Sequence, residues 1–311
     1  MVSRMSYESE MLEQFAMPSR SQIEQALLRV LLRNGGVIKE FAHGQKIVED
    51  IADEFGLNQN QRSAFLQTIY RKENRVKKAL LWHRLLFRAA DALAKENLVS
   101  RPTQTFQLTG EKEWMLTEKG LDRALMLSSI PIARKDSLPT KSFEVQKIVK
   151  KLIEAPPKGK DYDPFDRDKE IVTTTKKSVL RDRGFRQAVI DAYNSRCAVC
   201  GMKIISPDSL SFEVEAAHIV PNRSLGRDDI CNGIALCRLH HWAFDVGWFT
   251  LLDSYKIQTA PKAYDLPVDA GSREFFRLFT AKARRIGLPA RCEIYPHPNA
   301  LRWHRENIFH Y

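Results

Sequence analysis

No stretch of the sequence is apolar for the ~20 consecutive residues that a membrane-spanning helix needs. The first residues, MVSRMSYESEMLEQF, also lack the continuous apolar segment of a signal peptide. These two absences predict a cytoplasmic protein with no membrane partner. The chain has 311 residues. Because a usual domain has only ~100–200 residues, two folded units with a connecting segment are expected.

Cysteine is scarce and unevenly placed. The sequence has five cysteines, all in its C-terminal half: Cys197, Cys200, Cys231, Cys237 and Cys292. An odd and clustered set suits metal ligation better than a disulfide framework.

Acidic residues are fewer than basic ones. The 38 Asp and Glu residues stand against 49 Lys and Arg residues, which leaves a formal net charge of +11. Clustered cations are attracted to a polyanion and its counterions, so nucleic acid is the first candidate partner. Charge alone does not decide this, because many basic proteins have no such partner.

The first half of the chain shows helical periodicity, interrupted by two short alternating runs. The predicted helices cover residues 21–33, 45–55, 74–97 and 117–127, and the predicted hairpin strands cover 106–108 and 114–116. The helix over 74–97 has one apolar face, and its basic residues lie off that face. Helices followed by a hairpin and a closing helix predict a winged helix-turn-helix over 20–127, with the basic helix as its recognition helix.

The phrase WMLTEKGLDRAL, together with this order, resembles the N-terminal winged-helix domain of Mrr-type restriction enzymes. The resemblance implies DNA binding. The candidate DNA contacts are Arg71, Arg75, Lys77 and Lys78. A solvated basic face and a protein-protein module are the alternatives.

The regions around this domain are less patterned. Residues 1–19 are an N-terminal extension, and residues 128–175 are predicted to be a linker because they are rich in proline and polar residues. A short helix at 143–153 has no assigned role. Residues 176–311 would form the second domain.

Two pairs of metal-ligand residues lie in the second domain, each with two residues between its members. The segments are CAVC at 197–200 and CRLH at 237–240. Thiolate and imidazole are donors that zinc prefers, so Cys197, Cys200, Cys237 and His240 are predicted to hold one structural Zn²⁺ in a tetrahedral site. Buried free thiols are the alternative. The remaining cysteines, Cys231 and Cys292, are expected to hold no metal.

Between the pairs lies an extended run that carries a histidine. Strand periodicity in FEVEAAHIVP places Ala216 and His218 on one face. The loop SLGRDDICNGIAL follows, and a helix is predicted to open near Gly233. Asp245 lies four residues after His241 on that helix, so the two side chains project from one face and suit a single cation.

The stretch EAAHIVP…NGIALCRLHHWAFDVGWF resembles the HNH nuclease family, in the subgroup common among bacterial restriction-type proteins. The resemblance implies that His218 is the general base, that Asn232 braces the loop carrying it, and that His241 is a metal ligand. Asp245 takes the place of the second helical ligand. The implied fold class is α+β, with an N-terminal winged helix-turn-helix domain, a linker and a C-terminal zinc-stapled ββα-metal HNH domain.

One position departs from the family pattern. Many HNH enzymes carry Asp or His just before the catalytic histidine as a further metal ligand, and here that residue is Ala217. The cation would then have His241 and Asp245 from the protein, with phosphate oxygens and water completing its shell. Glu215 is an alternative third ligand, although strand alternation points it away from His218. A carboxylate with an imidazole suits Mg²⁺, Mn²⁺ or Ni²⁺.

The sequence therefore favours a restriction-like endonuclease acting on double-stranded DNA. An imidazole, with an ordinary pKa near ~6.5, can take a proton from water while a divalent cation neutralises charge on the phosphate. The winged helix would select a sequence or a modified base. An HNH site cuts one strand at a time, so a homodimer or two successive visits would break both.

Other features leave alternatives open. The basic residues Lys176, Lys177 and Arg181 are candidate phosphate contacts or a solvated face. A DNA-binding regulator with an inactive HNH scaffold is a competing function, suggested by Ala217. An RNA-directed or nonspecific nuclease is a third. The segment after Asp245 predicts a hairpin, followed by a tail whose His304 is expected to be structural.

Overall fold

The structure, a computed structural model, describes two units of the chain. The residues it describes are 7–39, 41, 46–70, 75–157, 159, 161–166, 176–207, 211–261 and 284–309. One unit comprises residues 1–135 with 140–143, and the other comprises 136–139 with 144–311. Within these described ranges, no helix is both long enough and apolar enough to cross a membrane.

The first unit combines helices with a small sheet and a separate hairpin. Its helices are α1 (Tyr7–Gln14), α2 (Arg20–Arg33), α3 (Lys46–Glu54), α4 (Gln59–Ser63), α5 (Leu81–Lys95), α6 (Pro102–Thr109) and α7 (Glu118–Leu127). Its strands are β1 (Val37–Lys39), β2 (Phe65–Tyr70), β3 (Arg75–Leu80), β4 (Val99–Ser100) and β5 (Glu113–Leu116). The antiparallel sheet has the order β1-β5-β4, and β2 pairs with β3 alone.

Helix α2 is central to the core of this unit. Ser19 and Gln22 form a capping box that satisfies backbone N–H groups at its start. Ile23, Leu27 and Leu31 recur at helical spacing, and at most 1% of each is exposed. This buried face packs against α5 and α7, so apolar burial holds the unit together.

The second unit is built on two antiparallel hairpins and the helices around them. Its helices are α8 (Phe143–Glu154), α9 (Lys176–Ala192), α10 (Arg238–Asp245) and α11 (Pro298–Asn307), and its strands are β6 (Val214–His218), β7 (Gly233–Cys237), β8 (Phe249–Leu251) and β9 (Ile257–Thr259). Strand β6 pairs with β7, and β8 pairs with β9. Helix α9 packs against the first hairpin through Phe185 and Val189, both fully buried. Val145, Val149 and Tyr162, from the segment predicted as a linker, also lie in this core.

The prediction of one long helix over 74–97 is wrong in its first part. Residues 75–80 form strand β3, and the helix begins at Leu81. The apolar residues of RVKKAL, Val76, Ala79 and Leu80, fall at helical spacing and continue the apolar stripe of α5, so the sequence pattern did not reveal this strand. Arg75, Lys77 and Lys78 therefore lie on a hairpin strand and not on the helix, while Arg71 falls outside the described residues.

Two further local predictions are wrong. Residues 106–108 are helical, because Pro102 occupies the first turn of α6 and Gly110 ends that helix in a left-handed conformation. The segment from Gly233 is strand β7, and helix α10 starts only after Cys237. All five residues of β7 are buried, so this strand has no alternation by which the sequence could reveal it.

His304 is a buried core residue of the second unit. Its Nδ1 lies 2.9 Å from the Thr250 hydroxyl, its Nε2 lies 3.0 Å from the Phe244 carbonyl oxygen, and its ring stacks on that of Phe244. One nitrogen thus accepts a hydrogen bond and the other donates one, as in a neutral imidazole. Burial lowers the pKa of His304 to about 4.

We expect this histidine to make stability depend on pH. The unfolded chain, with an ordinary histidine pKa, binds the proton more readily, so the contribution is present above about pH 6.5 and is lost as pH falls toward 4. Between about pH 7 and about pH 5, the wild type should lose roughly 2 kcal/mol more unfolding free energy than His304→Gln, measured by urea denaturation. Equal losses in both proteins would contradict a buried neutral His304.

Candidate active site and metal centre

Four metal-ligand side chains meet at the junction of β7 and α10. Cys197 and Cys200 lie in the turn after α9, where Gly201 has a left-handed φ of 74° that lets the chain reverse. Cys237 ends β7, and His240 lies in the first turn of α10. The four ligand atoms all lie within 4.8 Å of one another.

The distances in this Cys₃His cluster fit a tetrahedral metal site. Sulfur to metal bonds of ~2.3 Å put two ligand atoms about 3.7 Å apart. His240 Nδ1 lies 3.7 Å from Cys197 Sγ, Cys200 Sγ lies 4.0 Å from Cys237 Sγ, and the Cys237 Sγ to His240 Nδ1 distance is 3.0 Å. The first two distances match and the third is shorter, so the predicted zinc ligands are together and could hold Zn²⁺.

The charges in the cluster favour a cation. Hydrogen bonds from Cys200 and Cys237 lower the pKa of Cys197, which favours its thiolate. Burial lowers the pKa of His240, but hydrogen bonds to Cys197 and Cys200 outweigh it and raise that pKa to about 9. Contacts with Cys197 and Cys200 raise the pKa of Cys237, so the cluster favours a thiolate at Cys197 and a thiol at Cys237. A bound divalent ion would take the place of the remaining protons.

A second group of polar side chains surrounds the β6–β7 hairpin and α10. His218 is the last residue of β6 and pairs with Gly233, the first residue of β7. Helix α10 follows β7 directly and carries His241 and Asp245 one turn apart. The unit is thus two antiparallel strands followed by one helix, with a histidine on the first strand and another on the helix.

His218 is held on two sides. Its Nε2 lies 2.9 Å from Oδ1 of Asp228, and its ring stacks on Phe185 of α9 with the ring centroids 3.9 Å apart. The side chain is 17% exposed, so solvent still reaches it.

Asn232 fixes the loop between the two strands. Its Oδ1 accepts the backbone N–H of Val220, and its Nδ2 donates to the carbonyl oxygens of Val220 and Arg227. Gly226 lies beside the Asn232 amide, and a Cβ added to it would be 1.8 Å from the Val220 carbonyl oxygen. The buried amide therefore joins both ends of the loop.

His241 lies between two carboxylates. Its Nδ1 is 3.0 Å from Oε2 of Glu215, and its Nε2 is 3.5 Å from Oδ2 of Asp245. The hydrogen bond from His241 lowers the pKa of Glu215. Burial raises the pKa of Asp245 despite the nearby positive charges of His241 and Arg223. A cation bound to Nε2 of His241 would favour the ionised form of Asp245.

The candidate catalytic residues are less closely assembled than the Cys₃His cluster. In the part of the chain that the structure covers, the Cys₃His cluster is the one group of three or more such side chains whose donor atoms lie within 4.8 Å. His241 and Asp245 lie 3.5 Å apart, but His218 does not complete a group of three with them at this distance. Ala217 is fully buried and offers no ligand atom.

Sequence reasoning missed several contacts of this region. Asp228 lay in the loop run GRDD with no assigned role, and Phe185 was not singled out. Glu215 was expected only as a third ligand. Arg181, a candidate phosphate contact, pairs with Asp166 and Asp228. Lys176 and Lys177 begin α9, and their side chains are not among those described.

The region from β6 to α10 is thus a ββα arrangement, two antiparallel strands followed by a helix. The family described as HNH endonuclease matches residues 197–252. These residues form an HNH endonuclease domain. The family predicted from the motif is confirmed for this part of the chain.

Similarity beyond this domain is limited. No curated protein matches the sequence significantly. Among solved structures, one described as "Modification dependent TagI restriction endonuclease" is 20% identical, with a TM-score of 0.31, and the match covers 44% of this chain and 44% of that chain. The chain thus spans less than half the length of that protein.

We expect the purified protein to contain about one zinc ion per chain, bound by the Cys₃His cluster. Cys237→Ser should lose most of this zinc and unfold at a lower temperature, because one ligand of four is replaced by a poor donor. Elemental analysis and a thermal melt measure both effects. Cys292→Ser is the matched control, since Cys292 is exposed and outside the cluster. Equal zinc loss in both variants would contradict the assignment.

Proposed function

We propose that the protein is a restriction-like endonuclease that hydrolyses phosphodiester bonds in double-stranded DNA. The observation that carries the proposal is the position of His218, at the end of β6 and across the hairpin from α10, within an HNH endonuclease domain. The basic excess of the chain favours a polyanionic substrate.

His241 and Asp245 are the residues that would hold a divalent cation. Their imidazole and carboxylate donors suit Mg²⁺, Mn²⁺ or Ni²⁺. When bound, the cation would neutralise charge that develops on the scissile phosphate. Glu215 accepts a hydrogen bond from Nδ1–H of His241, so Nε2 is the nitrogen that faces Asp245. In this geometry Glu215 orients a ligand more readily than it serves as one.

The protein residues themselves supply the base and the frame. His218 takes a proton from the attacking water, while Asn232 keeps the loop beside it fixed. The water oxygen bonds to phosphorus, the bond from phosphorus to the 3′ oxygen breaks, and that oxygen takes a proton from solvent. The products are 5′-phosphate and 3′-hydroxyl ends.

The first unit is proposed to be a winged-helix domain that selects the DNA. The element order α2-β1-α3-α5-β4-β5 and the sheet order β1-β5-β4 support this interpretation, with α5 as the recognition helix. The hairpin β2–β3 is then an insertion before α5 that carries Arg75, Lys77 and Lys78. Selection would be by a short sequence or a modified base. Breaking both strands would take a homodimer or two visits.

A second candidate function is a DNA-binding regulator with an inactive HNH scaffold. The buried Ala217, where a metal ligand is usual, is the observation that favours it. This function predicts DNA binding without cleavage in any divalent metal.

We expect wild-type protein to cut plasmid DNA in Mg²⁺ or Mn²⁺, and His218→Ala to cut at least about 100-fold more slowly, because the general base is lost. Unmodified, adenine-methylated and cytosine-modified plasmids would be compared on gels, with RNA and single-stranded DNA alongside. His297→Ala, a histidine outside the hairpin, is the control. Binding without cleavage by both wild type and His218→Ala would favour the regulator.

We expect the hairpin β2–β3 to bind DNA phosphates. Replacing Arg75, Lys77 and Lys78 by Ala should weaken binding to all duplexes and reduce the slope of log affinity against log salt by about 0.9 for each phosphate that is no longer neutralised. The matched control removes three charges from α2, where Arg20, Arg29 and Arg33 pair with Glu24 or Glu54. An equal change of slope in the two variants would contradict the assignment of phosphate binding to the hairpin β2–β3.

A further inference from the structure

His218 contacts a buried carboxylate, Asp228, to which the proposed function assigns no role. The Asp228 side chain is only 2% exposed, and its Oδ1 lies 2.9 Å from His218 Nε2. A buried carboxylate is costly unless it is paired and hydrogen-bonded. Asp228 therefore needs partners, and its partners include the proposed base and an arginine.

Arg181 supplies the opposite charge. Its Nε lies 3.3 Å from Oδ2 of Asp228, and its guanidinium also contacts Asp166. Burial lowers the pKa of Arg181, but the two carboxylates outweigh it and raise that pKa. The guanidinium thus remains charged and favours the ionised form of Asp228, which can only accept hydrogen bonds.

An ionised Asp228 determines which nitrogen of His218 is basic. Because the carboxylate only accepts, Nε2 must carry the proton, and Nδ1 keeps its lone pair. Among the described residues the His218 ring has no second hydrogen-bond partner, so Nδ1 is open. Stacking on Phe185 restricts the tilt of the ring.

We propose that Asp228, held by Arg181, is a positioning residue for His218. It fixes the Nε2–H tautomer and stabilises the imidazolium that forms when Nδ1 takes the proton of the attacking water. The proton then passes from Nδ1 to solvent, and no other reactant is needed. This inference rests on the proposed function, because it assumes that His218 is the general base.

The test compares single-turnover cleavage of a plasmid in Mg²⁺ or Mn²⁺ by four proteins: wild type, Asp228→Asn, His218→Ala and the double variant. The amide of Asn can donate to Nε2 and so favours the wrong tautomer. Asp228→Asn should slow cleavage about 100-fold or more while DNA affinity and zinc content stay unchanged. In the His218→Ala background the same substitution should change the residual rate less than about threefold, because its effect acts through His218.

Asp253→Asn is the matched control, since Asp253 also pairs with an arginine of this unit, Arg305, away from the hairpin. It should cleave at the wild-type rate. Full activity of Asp228→Asn beside an inactive His218→Ala would overturn the positioning role and leave the proposed function intact. Wild-type activity of His218→Ala would instead overturn the proposed function itself.

A measurement that needs no activity covers the case in which Asp228→Asn fails to fold. Nitrogen-15 NMR of histidine-labelled wild-type protein, with His218→Ala used to assign the signal, reports the tautomer of His218. The Nε2–H form in neutral His218 is expected. The Nδ1–H form would overturn the proposal.

Discussion

Convergence of three thiols and one imidazole at the junction of β7 and α10 is the constraint on which the catalytic geometry depends. Helix α10 has eight residues and one exposed face, so its own propensity would fix it poorly. Cys237 and His240 hold its start against the turn that contains Cys197 and Cys200. The orientation of His241 and Asp245, the proposed cation ligands, therefore depends on a cluster that lies outside the proposed chemistry.

The loop between β6 and β7 is held by a different interaction, a single buried amide. Asn232 satisfies backbone groups of Val220 and Arg227 that would otherwise be buried without partners. The braced loop carries Asp228 to the edge of the His218 ring. The Cys₃His cluster thus fixes one end of the β6–β7 hairpin, and Asn232 fixes the other end, where His218 pairs with Gly233.

The spacing of residues along the sequence predicted the two groups of candidate ligands. Two pairs with two intervening residues bring the four cluster residues together, and the i, i+4 relation of His241 and Asp245 follows from the helix period. Contacts between distant segments could not be predicted this way, since no local pattern links Arg181 to Asp228 or Phe185 to His218. The hairpin strand β3 was missed because its apolar residues fall at helical spacing, and β7 was missed because burial on both faces removes any period.

His240 and His241 are consecutive, yet one faces the Cys₃His cluster and the other faces Glu215 and Asp245. Successive residues of a helix point about 100° apart, so one peptide unit sets the angle between the two sites. Insertion or deletion of a residue here would turn one site away from its partners, whatever residue was chosen. Leu239 and Trp242, each about half exposed, contribute no ligand atom to either site. This helix therefore tolerates a change of residue at its outer positions more readily than a change in its length.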